Sequence, residues 1–181
     1  MKIRVLGLLL CAVFLTGCGT GPALSSPPLE EPYSGFDLLP QQDTPDLAYE
    51  RGALVQEEFQ TTKGAEYLDA FLRKTASGQP ATLQIAFFYK ADQTEQAVYL
   101  NIVYQDGGYK AYRSDAPDRS PRTYRLLRAV SGRLPNAAKD GTVCILTDSR
   151  DLTYQQVMMA GLSSDSRYPQ TLPPFEHLFS D

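Results

Sequence analysis

Two runs of alternating apolar residues, one short polar connection apart, restrict what this chain can fold into more than any other feature. In Thr82–Lys90 the residues Leu83, Ile85, Phe87 and Tyr89 share one face; in Ala97–Gln105 the same holds for Val98, Leu100, Ile102 and Tyr104. A period of two is that of a β-strand, whose side chains point alternately to opposite faces. Ala91-Asp92-Gln93-Thr94-Glu95 lies between them and is too short for a parallel crossover, so the pair is antiparallel. Asp106-Gly107-Gly108 predicts a tight turn into a third strand at Tyr109–Arg113. Two more strands are expected at Arg122–Val130 and Thr142–Thr147.

Helical periodicity surrounds this block. Gly64–Lys74 places Leu68, Phe71 and Leu72 on one stripe, with Ser77-Gly78 as a stop and Arg73 and Lys74 in the last turn. Asp46–Phe59 reads as a short helix that gives way to a strand through Ala53-Leu54-Val55, and Thr153–Leu162 as a further helix. Pro173-Pro174 followed by Phe175, Leu178 and Phe179 predicts a short C-terminal helical turn. The expected fold is α+β: an antiparallel meander of about four to five strands, with one amphipathic helix packed on one face and that terminal turn closing the core.

The first residues are of another kind. Lys2 and Arg4 precede eleven largely apolar residues, Val5–Leu15, too few for a helix to cross a hydrocarbon core of roughly 30 Å. The run ends on Leu15-Thr16-Gly17-Cys18, which resembles the lipobox of bacterial lipoproteins. That resemblance implies a signal peptide over 1–17, removed before a diacylglyceryl-modified Cys18, and hence a lipid-anchored protein on the extracytoplasmic face of the cell membrane. Two acyl chains anchor stably without a membrane-spanning helix. From Gly19 to Pro45 the chain is rich in proline and serine and reads as a tether over 18–45, ahead of a globular domain at 46–181, with a short docking segment at Tyr33, Phe36, Leu38 and Leu39 as the alternative to a plain spacer.

From Gly52 to about Asp148 the order of elements resembles an uncharacterised domain family found in lipoproteins of spore-forming Firmicutes. The matching pieces are Arg51-Gly52-Ala53-Leu54-Val55, the helix with Leu68 and Phe71, the strand ending at Tyr89, and Val103-Tyr104-Gln105-Asp106-Gly107 followed by Asp115. The resemblance implies a small α+β domain outside the cell. It brings no catalytic residues with it.

Loss of Lys2 and Arg4 with the signal takes the formal net charge from −4 to −6, which disfavours a nucleic-acid surface built on clustered cations. Cys144 is then left in a β-rich run, where a buried inert thiol is expected. His177, the one histidine, has no adjacent nucleophile; a Ser-His-Asp arrangement in space stays open. Asp115 with Asp118, and Asp148 with Asp151, lack the alternating ligands of a calcium loop and suit turn capping. No metal or cofactor is expected.

The eleven tyrosines are the most suggestive excess. Phe88, Tyr99 and Tyr112 fall on the sheet face opposite the apolar one, and if a helix covers the first face these rings would form an open binding surface for an envelope protein, peptide or glycan. The alternative is that tyrosine simply suits a half-buried strand. The expected function is therefore that of a non-catalytic binding module, the alternatives being a structural or regulatory partner of another envelope protein, or a hydrolase.

Overall fold

The computed structural model describes residues 35–40, 42–58, 60–89, 97–135, 137–162 and 167–180. The protein is α+β, with a mixed six-stranded sheet and a separate three-stranded one. In chain order the elements are α1 (Pro45–Glu50), β1 (Leu54–Glu57), β2 (Gln60–Lys63), α2 (Ala65–Ala76), β3 (Ala81–Phe88), β4 (Val98–Gln105), β5 (Gly108–Arg113), β6 (Arg122–Tyr124), β7 (Leu126–Gly132), β8 (Gly141–Thr147), α3 (Tyr154–Leu162) and β9 (Phe175–Ser180). A short 3-10 turn at Pro169–Thr171 precedes the last strand.

The meander exists as β3-β4-β5-β6, antiparallel throughout, with Leu83 opposite Ile102 and Tyr104 opposite Tyr109. Two features extend it beyond the sequence-based expectation. β1 pairs parallel to β3, with Leu54 beside Ile85, and β2 folds back on β1 as the outer strand. The expected single strand Arg122–Val130 is divided at Arg125, so that β6 ends the large sheet and β7 begins the small one, in the order β7-β8-β9. Asp148, one residue past β8, fixes this corner by accepting the Arg125 backbone N–H at 2.8 Å and its Nε at 3.3 Å.

The C-terminal helical turn is corrected to a strand. Phe175 pairs with Thr147 and Phe179 with Cys144, and the register slips between Cys144 and Ile145, leaving Leu178 as a bulge residue. The Gln56 side-chain amide donates to the Leu178 carbonyl, which ties the bulge to β1 of the other sheet.

The first face of the large sheet carries Leu83, Ile85, Leu100 and Ile102 against Leu68 and Phe71 of α2 and against Cys144, Leu146 and Leu178 of the small sheet. Each of these large apolar side chains contributes roughly 1.5–3 kcal/mol by leaving water. The outer side of the small sheet packs Val143 and Ile145 against Leu152, Tyr154 and Val157 of the α3 region. The second face of the large sheet is covered too. Phe36 and Ala48, from the 35–40 turn and α1, close over Val55, Ala86, Phe88, Tyr99 and Tyr112. The packed structure thus begins earlier than residue 46.

Candidate functional site

Phe88, Tyr99 and Tyr112 point to the second face, as alternation expects, but they do not form an open surface: their exposures are 6%, 3% and 0%. Proline-rich composition hid the cause, because the covering segment lies within the presumed tether. Asp43 holds it down, accepting from the Tyr99 hydroxyl and from Arg51 Nη2, while its other oxygen takes the Thr44 N–H at 2.9 Å. Cys18 lies outside the described residues.

The remaining sequence candidates are dispersed. His177 stands on β9 opposite Ile145, and burial lowers its imidazole pKa below the ordinary range. Asp115 receives two hydrogen bonds from Arg113, at 2.8 and 2.9 Å, which hold its carboxyl below the usual carboxylate range. Asp118 accepts the Ser120 N–H at 3.1 Å, and Asp148 is engaged with Arg125. Each carboxylate thus closes a turn or holds a corner. Among the described residues no group of three His, Cys, Asp or Glu side chains is gathered as for a metal, and no helix is long and apolar enough to cross a membrane.

Further along the same strands the second face is exposed at Lys110 and Thr123, beside the still buried Val103. Val103 on β4, Lys110 on β5 and Thr123 on β6 are register partners, two residues beyond Asn101 and Tyr112 in the hairpin direction. They line a cleft of about 540 Å³ together with Asp106, Tyr124, Arg125 and Asp148. Sequence shapes it directly. Asp106 and Gly107 adopt φ values of 53° and 78°, the paired left-handed geometry of a two-residue hairpin turn, which sets Asp106 at the rim. The strand switch at Arg125 supplies the opposite wall.

Chemically the cleft is mixed. Lys110 is exposed and forms no ion pair among the described residues, while Arg125 and Asp148 form one. Burial raises the Tyr124 phenol above its usual value of 10, so it remains a neutral hydrogen-bonding group. Such a surface can hold a polar ligand carrying both donors and acceptors. Sequence reasoning missed it because the Arg122–Val130 run has no glycine or proline at Arg125 to announce the corner; the Asp106-Gly107 turn was its one legible part. No family model, curated protein or solved structure matches this chain.

Proposed function

We propose that the chain is a bacterial lipoprotein, anchored through Cys18 on the extracytoplasmic side of the cell membrane, and that its folded part is a non-catalytic binding module. The anchor reading rests on the Leu15-Thr16-Gly17-Cys18 boundary after a short apolar run. The observation that carries the binding reading is the cleft at the β4–β5 hairpin, where an exposed Lys110 stands near Asp106 and Asp148. A peptide or glycan offers the mixture of donors, acceptors and charge that these side chains complement.

Changing Cys18→Ser tests the anchor: the chain should leave the membrane fraction and lose the mass of its acyl chains. Retention in membranes with an unmodified mass in the parent protein would overturn it. For the cleft, binding of short peptides and cell-wall glycan fragments by the full chain should weaken on Lys110→Glu, with unchanged melting. Turnover of any such probe would argue for the hydrolase alternative.

A second reading is favoured by β7, seven residues long and paired only with β8 among the described strands. An extended segment of another envelope protein could add to that edge through main-chain hydrogen bonds.

A further inference from the structure

We infer that the α1 layer, with Leu38 and Leu47 outermost, is the face that rests on the lipid surface; this rests on the anchor reading above. Among the described residues four large hydrophobic side chains are notably exposed, in two places. Leu38 at 81% and Leu47 at 45% lie on the layer over the second face, while Met159 at 43% and Leu162 at 65% lie on α3, beyond the small sheet. The large sheet and the small sheet stand between them.

Two observations single out the first pair. Gly35 lies in this layer seventeen residues after Cys18, so in an anchored chain the connection to the lipid joins the folded part on this side. Those residues reach at most ~60 Å however they run, which keeps the layer at high effective concentration over the lipid. Three of the four acidic side chains of residues 35–50 are also paired, Glu50 at the end of α1 being the exposed exception. Asp37 pairs with Arg119 at 2.6 Å, Asp43 with Arg51, and Asp46 with Lys63. An anionic bilayer therefore meets mostly neutralised carboxylates around two exposed leucines, with Glu50 as the remaining source of repulsion. Lys110 of the cleft lies on the same face of the large sheet.

The chain contains no tryptophan, so single reporters can be placed at will. The lipidated full-length variants Leu38→Trp and Leu162→Trp would be reconstituted on phosphatidylcholine–phosphatidylglycerol vesicles containing brominated acyl chains. Both positions are exposed, and equal melting temperatures would confirm that both variants fold. The expected result is severalfold stronger quenching, and a blue-shifted emission, for Leu38→Trp alone. Equal quenching at the two sites, or stronger quenching at residue 162, in protein that floats with the vesicles would overturn the orientation while leaving the anchor intact. Protein that neither floats nor carries acyl mass would overturn the anchor reading, and this one with it.

Discussion

Arg113 Nη1 lies 2.7 Å from Glu176 Oε1, joining the end of β5 in the large sheet to β9 in the small one. The carboxylate is almost fully enclosed, with 5% of its side chain exposed, and Arg122 approaches its second oxygen at 3.7 Å. Arg113 also holds Asp115 through both oxygens, which together with Glu176 pushes its own pKa upward. One guanidinium thus serves a loop and two sheets.

Removing it should be costly. Arg113→Ala leaves Glu176 buried beside only the more distant Arg122, and a loss of about 3 kcal/mol in denaturant unfolding is expected. Arg113→Ala combined with Glu176→Gln should recover part of that loss, because the stranded charge is gone.

Stability should fall as the medium becomes mildly acidic. Burial lowers the His177 pKa below 6.5, so between that lowered value and 6.5 the unfolded chain binds a proton that the folded chain does not. The contribution is complete above 6.5 and is lost as pH falls through this window. Unfolding midpoints measured from pH 7.5 down to 5 should show the slope, and His177→Gln should flatten it. Asp115, lowered by its hydrogen bonds from Arg113, adds a further loss only as pH falls below 3.8.

The aromatic residues of the second face should behave as core. Tyr112→Ala, at a fully buried position, is expected to cost about 3 kcal/mol. Tyr99→Phe removes only the hydroxyl that meets Asp43 and should cost about 1–2 kcal/mol. Thermal melts of both variants would check this; unchanged melting would mean that the α1 layer does not cover them in solution.

Two glycines should respond in opposite ways. At Gly64 a Cβ would lie 2.5 Å from the Ala53 carbonyl oxygen on a backbone with φ of 79°, so Gly64→Ala should destabilise by roughly 2 kcal/mol or more. Gly161, in α3, has open space where a Cβ would stand, so Gly161→Ala should be neutral or stabilise by up to about 1 kcal/mol. The two melting temperatures should move apart accordingly.

What was legible in the sequence followed burial. β3 and β4 were readable because Leu83, Ile85, Leu100 and Ile102 must all reach one core. The α2 stripe was readable for the same reason. The last strand was not, because the bulge at Leu178 puts Leu178 and Phe179 in one core while Phe175 faces another, mimicking helical spacing. β2 is four largely polar residues, Gln60–Lys63, with no apolar period to detect. The candidate cleft escaped for a geometric reason: Lys110, Thr123 and Asp148 converge only once the chain turns at Arg125. The buried aromatic face was misread because its cover is assembled from Phe36 and Leu39, in a proline-rich stretch, and from Ala48 and Tyr49 of the six-residue α1, with no long apolar period in either.

The link from Gln56 to the Leu178 carbonyl spans 122 positions of sequence. A strand near the start of the domain is therefore completed by the strand at its very end. During vectorial synthesis the small sheet lacks β9, and Gln56 its partner, until residues 175–180 have emerged. Closure of the small sheet on Gln56 must wait for β9, since distant pairings pay their loop entropy before their contacts repay it. The join between the two sheets is thus one of the last parts of this fold that synthesis can complete.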